Sequence, residues 1–124
     1  MQKECNFYIY ILINYSKTVL YVGFTNNIIR RIIEHKSDLG CKFTRKYKLK
    51  NLVYFEQCED VYRMMEREKE IKGWRREKKI NLIKSVNPNL NDLSGKLFKE
   101  NGITKEVIEE TVKELRENYK SQRD

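Results

Sequence analysis

Two short runs of aromatic and β-branched residues near the start of the chain constrain its fold more than any other feature. The runs extend from Phe7 to Ile13 and from Val19 to Phe24, and this composition is typical of β-strands. The linker between them, residues 14–18, is short and polar. The pair is therefore predicted to form an antiparallel hairpin.

The two predicted strands separate aliphatic from phenolic side chains, because successive side chains point to opposite faces of a strand. One face is predicted to hold Phe7, Ile9, Ile11, Leu20 and Val22, and the other Tyr8, Tyr10, Leu12, Val19, Tyr21 and Gly23. The simplest pairing places the aliphatic faces in the core and gathers the three phenols on the other side. Gly23, at the strand end, would leave the backbone open to the approach of a phosphate. The simpler alternative is that tyrosine is merely a favourable strand residue.

The segment from Ile28 to Lys36 has the periodicity of an amphipathic helix. Residues 25–27 precede it, and any of them could cap its N-terminus. Its isoleucines form one wide apolar stripe. Arg31 and His35 lie one turn apart and form a neighbouring pair beside that stripe. A solvated helix face explains this pair about as well as a functional site does.

Glu68 is the strongest single indication of a functional site. A helix is predicted from its N-cap Asp60 to Lys72, with Gly73 as the stop. Glu68 lies in the middle of the apolar stripe of that helix, which is formed by Val61, Met64, Met65 and Ile71. A carboxylate on a buried face is costly unless it is paired or binds a metal. An intrahelical ion pair with Lys72 is the alternative explanation.

These residues, taken in order, resemble the GIY-YIG endonuclease domain. The resemblance rests on Tyr8-Ile9-Tyr10, on Tyr21-Val22-Gly23, on Arg31 and His35 at helical spacing, and on the downstream Glu68. It covers roughly residues 6–94 and is closest to the small stand-alone bacterial members. Their tail is similar to residues 67–79, Asn87-Pro88 and Asp92-Leu93. Tyr8 stands where the family name has glycine, and Leu90 stands where similar proteins tend to carry tryptophan.

The resemblance implies an α+β fold, in which a small three-stranded antiparallel sheet is flanked by helices. The third strand is expected from Asn51 to Gln57, after a basic loop from Lys36 to Lys50. A third helix is expected from Trp74 to Lys84. The nuclease-like domain would then cover residues 1–93.

Residues 94–124 are expected to form an extension with one helix, at about 104–119. Its apolar seam consists of Ile108, Val112, Leu115 and Tyr119. The seam could pack on the domain, mediate self-association or contact a protein partner.

The resemblance also implies a metal-dependent endonuclease that hydrolyses phosphodiester bonds in DNA. One divalent ion, Mg²⁺ or Mn²⁺, would be held by Glu68, and Arg31 would steady the phosphate. Tyr10 or Tyr21 would act as the general base, with His35 supporting the phosphate or a proton relay. A free phenol has a pKa near 10, so Arg31, the metal or a nearby lysine would have to lower the pKa of that tyrosine.

The other residues expected to contact the substrate lie in the motifs and in basic segments. They are Tyr8, Gly23, Arg30, Lys46, Tyr47, Lys72 and Asn91. Asn91 is matched to the asparagine that closes the motif set of the family, although Asn89 or Asp92 could be read there instead. Tyr47 lies inside a basic cluster, where it could stack on an unpaired base.

The positive charge of the chain is unevenly distributed. The formal net charge is +8, and residues 94–124 contribute nothing to it because their acidic and basic side chains are equal in number. Basic clusters occur at Arg30-Arg31, Lys42 to Lys50 and Arg75 to Lys79. Such clusters favour a nucleic-acid partner, which we expect to be DNA, while RNA stays open. Charge alone is equally typical of a surface that only provides solubility.

Several other classes of protein are disfavoured. The cysteines, Cys5, Cys41 and Cys58, are odd in number and lack paired spacing, so neither a disulfide framework nor a zinc site is expected. No long apolar span occurs, so we expect a cytoplasmic protein without a membrane partner. Two alternatives to the enzyme remain: a non-catalytic nucleic-acid-binding module of the same fold, and a protein-interaction adaptor that uses the C-terminal helix.

The small size of the chain bears on specificity. It offers no obvious second module to read a base sequence, so structure-directed or weakly specific cleavage is expected. Repair of branched or damaged DNA, defence and mobile-element maintenance are all compatible with such an activity.

Overall fold

The computed structural model describes residues 6–123 and contains a three-stranded antiparallel sheet with helices on both faces, as predicted. The strands are β1 (Phe7–Ile13), β2 (Leu20–Thr25) and β3 (Asn51–Cys58). β1 is central, and the strand order is β2-β1-β3. The register places Tyr10 opposite Gly23 on β2 and opposite Phe55 on β3. Cys5 lies outside the described residues.

The helices follow the strands and cover both faces of the sheet. They are α1 (Ile28–Lys36), α2 (Lys42–Lys46), α3 (Val61–Lys72), α4 (Arg76–Val86), α5 (Ser94–Glu100) and α6 (Lys105–Arg123). The side chain of Asn27 caps α1 by accepting a hydrogen bond from the backbone N–H of Arg30. Asp60 caps α3 in the same way, as predicted. Among residues 6–123, no helix combines the length and apolar character needed to cross a membrane.

The helix content differs from the prediction at three places. The segment expected to be a basic loop contains α2, and α4 begins at Arg76 rather than at Trp74. The expectation of one helix after residue 93 was wrong, because α5 precedes α6. α5 begins at Ser94, whose N–H and hydroxyl both donate to Oδ1 of Asp92, at 3.0 and 2.6 Å.

Each face of the sheet supports its own hydrophobic core. The aliphatic face packs against α3 and α4, through Ile9, Ile11, Ile13, Val22, Met64, Ile71 and Ile83. The phenolic face packs against α1, α5 and α6, through Tyr10, Leu12, Ile32, Leu97, Phe98 and Leu115. The alternation of the strands is therefore confirmed. The expectation that only the aliphatic faces form the core was wrong, because helices cover the phenolic face as well.

The apolar seam of α6 is used inside the chain. Leu115 is buried in the core of the phenolic face, and Ile108 and Val112 pack against it. Tyr119, the last residue of the seam, accepts a hydrogen bond from Arg45 at 3.3 Å. Packing on the domain, the first of the alternatives open from the sequence, is what the structure shows.

Gly23 is required by the ring of Tyr10, which lies across the backbone of β2. A Cβ atom added at Gly23 would overlap Cζ and the hydroxyl of that ring. The space is thus filled by Tyr10 and is not left open for a phosphate, as the sequence had suggested. The ring of Tyr10 can lie against β2 only because residue 23 is a glycine and has no side chain.

We predict that Gly23→Ala lowers the free energy of unfolding by about 1–3 kcal/mol, the usual cost of overpacking a core. Gly95→Ala is the matched control, because a Cβ at that position meets nothing within 4 Å. Urea unfolding followed by circular dichroism measures both variants. Equal stability of Gly23→Ala and the parent chain would show that the Tyr10 ring is free to move away.

Candidate active site

A buried chain of hydrogen bonds links β1, α1 and α2. The hydroxyl of Tyr10 lies 3.0 Å from Nε2 of His35, and Nδ1 of His35 lies 3.2 Å from Oγ1 of Thr44. Thr44 in turn donates to the backbone carbonyl of Cys41 at 3.0 Å. Tyr10 is only 2% exposed and His35 only 5% exposed. These groups therefore interact with one another with almost no competition from water.

The donors in this chain fix the direction of each hydrogen bond. Thr44 has one hydroxyl proton and gives it to Cys41, so its oxygen accepts from the N–H at Nδ1 of His35. A neutral imidazole that carries its proton on Nδ1 has a free lone pair on Nε2. Tyr10 must therefore donate its hydroxyl proton to His35.

The pKa shifts agree with this direction. Burial, assisted by the charge of Arg31, lowers the pKa of His35 to about 4, so the imidazole is neutral at physiological pH. Burial and then the neighbouring Tyr21 raise the pKa of Tyr10 well above its ordinary value. Arg31 does lower the pKa of Tyr10, as the sequence suggested, but burial outweighs it. Tyr10 thus holds its proton in the metal-free chain, and Arg31 alone does not make this phenol basic. The choice of the general base stays a prediction.

Tyr21 on β2 is the accessible neighbour of this buried chain. Its ring centroid lies 6.2 Å from that of Tyr10 and 6.0 Å from that of His35, and the side chain is half-buried. Burial, followed by interaction with the Cys41 thiol, raises the pKa of Tyr21 to about 12. The charge of Glu68 contributes to the same rise in pKa.

Cys41 is the partner of Tyr21 on the surface side. Burial raises the pKa of the Cys41 thiol, but hydrogen bonds involving Thr44 and Tyr21 outweigh that effect and the net pKa is lowered. The hydrogen bond between the two groups lowers the pKa of the thiol and raises the pKa of the phenol, so the hydroxyl of Tyr21 is the donor in it. The oxygen lone pairs of Tyr21 stay available to a further donor.

Arg31 faces all three of these aromatic groups. Its charge influences the pKa values of Tyr10, Tyr21 and His35, and its Nη1 lies 4.0 Å from Oε2 of Glu34. Its buried Nε finds no hydrogen-bond partner among the described residues. A guanidinium with a spare donor beside protonated phenols is suited to bind an anion.

Glu68 lies on α3, which covers the opposite face of the sheet from α1. α3 packs on the aliphatic face through Met64 and Ile71, and it contacts the edge strand β2, which carries Tyr21. The carboxylate is 22% exposed, and its Oε1 lies 2.6 Å from Nζ of Lys72. The intrahelical ion pair is confirmed. Met65 was wrongly assigned to the buried stripe, since it lies on the flank of α3 and is exposed.

The other predicted contact residues are not all gathered here. Tyr8 turns toward β3, where its ring lies 6.5 Å from that of Phe55, so the three phenols do not form one group. Arg30 and Arg31 line a pocket of about 410 Å³ between α1 and α6. Lys46 lies 5.3 Å from the ring centroid of Tyr47, on α2.

Asn91 has a structural environment of its own. Its side chain is exposed, and its backbone N–H and carbonyl bind the side chain of Asn87 at 3.1 and 2.8 Å. Asn87 is the buried asparagine of this segment, and it also donates to the carbonyl of Val53 on β3. These bonds lead to β3 and not to the tyrosines.

Sequence reasoning missed the residues between α1 and β3 that complete the buried chain, Gly40, Cys41 and Thr44. A Cβ atom at Gly40 would overlap Nδ1 of His35 and approach Oγ1 of Thr44 to 2.8 Å, so glycine is needed for this contact. A single glycine within the basic segment was the one available signal. It does not indicate which side chains the backbone approaches.

The comparisons with known proteins agree with this arrangement. The family model of the GIY-YIG catalytic domain matches residues 6–81, which include the tyrosines, Arg31, His35 and Glu68. The chain belongs to the GIY-YIG family. The GIY-YIG match indicates the nuclease superfamily and a nucleic-acid substrate.

The relatives of this GIY-YIG chain include small proteins of the UPF0213 group. A UPF0213 protein of Natronomonas pharaonis is 40% identical over 76 residues, which are 61% of this chain and 88% of that protein. A UPF0213 protein of Clostridium perfringens is 41% identical over 78 residues, covering 63% and 83% of the two chains. The solution NMR structure of a UPF0213 protein from Bacillus halodurans has 30% identity and a TM-score of 0.48, over 72% of this chain and 94% of that one.

We predict that the stability of the chain falls steeply below pH 6.5 because of His35, its only histidine. The unfolded chain binds the proton with a pKa near 6.5 and the folded chain with a pKa of about 4, so acid favours unfolding. A difference of about 2.5 between the two pKa values corresponds to about 3 kcal/mol, lost between pH 6.5 and pH 4.

Urea unfolding at several pH values, with His35→Gln as the control, measures this effect. The variant should lack the part of the pH dependence that begins near pH 6.5, because ordinary carboxylates titrate at lower pH. Identical pH profiles for the two chains would contradict the buried neutral histidine.

Proposed function

We propose that this chain is a metal-dependent endonuclease that hydrolyses phosphodiester bonds in DNA, with structure-directed or weak sequence specificity. One observation supports this most strongly: the half-buried Tyr21 packs against the rings of the buried Tyr10–His35–Thr44 chain, and the charges of both Arg31 and Glu68 act on its pKa. A phenol, a guanidinium and a carboxylate are the groups that the reaction needs. They orient water, bind phosphate and hold a cation, respectively.

Arg31 is proposed to bind the phosphate that is attacked. Its guanidinium can donate two parallel hydrogen bonds to phosphate oxygens, and negative charge on those oxygens increases as the reaction proceeds. Glu34 holds Nη1 only loosely, at 4.0 Å, so that contact can be exchanged for a phosphate. The net positive charge of the chain favours the same binding.

Tyr21 is proposed to orient the attacking water. A phenol whose pKa is about 12 is protonated at neutral pH, so Tyr21 does not begin the reaction as a phenolate. Its hydroxyl donates to Cys41, and its oxygen accepts a hydrogen bond from the water. Tyr10 and His35 act as positioning residues, because their buried bond fixes the ring against which Tyr21 packs.

Glu68 is the residue proposed to hold the divalent ion. Mg²⁺ is often bound through one or two carboxylates, with water and substrate phosphate oxygens as its other ligands. Glu68 fits this role, since its carboxylate is partly exposed and its partner Lys72 is half-exposed and can release it. Within residues 6–123 no three metal-binding side chains form a cluster, and Glu68 is the one carboxylate that we propose as a ligand. The bound ion would supply positive charge to the phosphate.

A non-catalytic nucleic-acid-binding module is the second candidate. It is favoured by the 2.6 Å ion pair between Glu68 and Lys72, which already satisfies one oxygen of the carboxylate. A module of this kind would bind nucleic acid through the same arginines and would be indifferent to the loss of Glu68.

We predict that Glu68→Gln reduces cleavage roughly 100-fold or more, the size of effect seen when one charge-stabilising group is removed from an active site. The measurement uses labelled duplex, flap, forked and single-stranded DNA, together with RNA, in Mg²⁺ or Mn²⁺. Glu70→Gln is the matched control, since Glu70 lies on the same helix and pairs with Arg67 instead. Binding, followed by fluorescence anisotropy in the absence of metal, should be nearly unchanged in both variants.

Full cleavage by Glu68→Gln would reject the proposed role of the carboxylate. If the folded parent chain binds DNA but cuts none of the substrates with either metal, the binding module replaces the enzyme as the function.

A further inference from the structure

A row of aromatic rings leads from the candidate active site to the surface. Ring centroids lie 6.2 Å apart between Tyr10 and Tyr21, 6.1 Å between Tyr21 and Phe43, and 4.8 Å between Phe43 and Tyr47. The two outer rings are exposed, Phe43 on α2 to 44% and Tyr47, which follows the last residue of α2, to 38%. Because Phe43 is exposed, its ring contributes little to the hydrophobic core, and its position next to Tyr21 needs another explanation.

The surface around these outer rings is positively charged. Residues 41–50 contain the cations Lys42, Arg45, Lys46, Lys48 and Lys50 and not one acidic residue. The ammonium group of Lys46 lies 5.3 Å from the centroid of the Tyr47 ring. Exposed rings surrounded by cations match the chemistry of a nucleic-acid strand, whose bases stack and whose phosphates are negative. An apolar protein partner would not require this charge.

We propose that Phe43 and Tyr47 form a stacking platform for an unpaired base of a DNA strand, next to the phosphate that is cleaved. This inference rests on the proposed function and gives its substrate class: DNA that is single-stranded at the cleavage site, as in a flap or a fork. In a duplex both faces of each base are already stacked, so only an unpaired base can be accepted by the rings.

The position of Phe43 sets the place of the unpaired base relative to the reaction. Phe43 contacts Tyr21, which is the phenol proposed to orient the water that attacks the phosphate at Arg31. A base stacked on Phe43 therefore belongs to a nucleotide adjacent to the phosphate at Arg31. Tyr47, one ring further out, would take the next base of the same strand.

The first test measures stacking without cleavage. A single-stranded DNA oligonucleotide that contains 2-aminopurine is titrated with the full chain in EDTA, so that the result does not depend on catalysis. The parent chain should quench the fluorescence of the base. Phe43→Ala should lose the quenching and bind single-stranded DNA roughly tenfold more weakly, while its duplex binding changes little.

Three further variants make the result specific to the aromatic face. Phe43→Trp should retain quenching, whereas Phe43→Leu, which keeps apolar contact with Tyr21, should lose it. Tyr62→Ala is the matched control, because Tyr62 is an exposed aromatic residue on α3. If circular dichroism shows that Phe43→Ala does not fold, the comparison of Phe43→Leu with Phe43→Trp replaces it as the test.

Several outcomes would overturn the proposal. Quenching by Phe43→Leu equal to that of the parent chain would show that the ring face is not used. Equal losses of single-stranded and duplex binding in Phe43→Ala would show a general electrostatic effect. If an RNA oligonucleotide that contains 2-aminopurine binds more tightly than the DNA oligonucleotide and is quenched to the same extent, DNA is rejected as the class of substrate.

Cleavage assays separate this proposal from the proposed function. If the parent chain cuts flaps and forks, Phe43→Ala should raise KM for those substrates about tenfold with a smaller change in kcat. Unchanged cleavage by that variant would reject the platform and leave the nuclease standing. If the parent chain quenches the fluorescence of the base but cuts no substrate, the nuclease is rejected and the stacking platform is retained.

Discussion

The hydrogen bond between Tyr10 and His35 is the interaction on which the arrangement of this molecule depends. It joins the central strand to α1 inside the core, and a buried polar pair of this kind is stable only if every group in it finds a partner. Thr44 satisfies the second nitrogen of His35, and Gly23 and Gly40 give the two rings room. One bond thus explains a short helix, α2, and two glycines that are distant in sequence.

Much of the fold could be predicted because its signals are local. The alternation of Phe7 to Ile13, the cap at Asp60 and the isoleucine stripe of α1 each reflect the geometry of a single element. The helices that were missed lack such signals. α2 has five residues and no side-chain cap. α5 also lacks a side-chain cap, and its first residue, Ser94, binds Asp92, which is itself held by Lys36 from another helix. Tertiary contacts decide both, so no sequence window contains the answer.

The candidate site shows the same division between residues and environment. The sequence identified Tyr10, Tyr21, Arg31, His35 and Glu68 as candidates, and the structure brings the rings of Tyr10, Tyr21 and His35 into contact. The charges of Arg31 and Glu68 both act on the pKa of Tyr21. It did not indicate that burial would raise the pKa values of both phenols and lower that of His35, because burial depends on what covers the site. The spacing of residues in the sequence predicts which groups are candidates for one site. It does not predict how deeply each group is buried, and burial is what shifts the pKa values.

The segment that covers the site lies outside the matched GIY-YIG domain. Leu97, Phe98 and Leu115 belong to α5 and α6, beyond residue 81, yet they share one core with Tyr10. Asn118 and Tyr119 of α6 also line the pocket that contains Arg30 and Arg31. Since burial is the largest cause of the shifted pKa values of Tyr10 and His35, part of their chemistry comes from the extension. The extension is therefore part of the site and cannot be treated as an appended helix that leaves the chemistry unchanged.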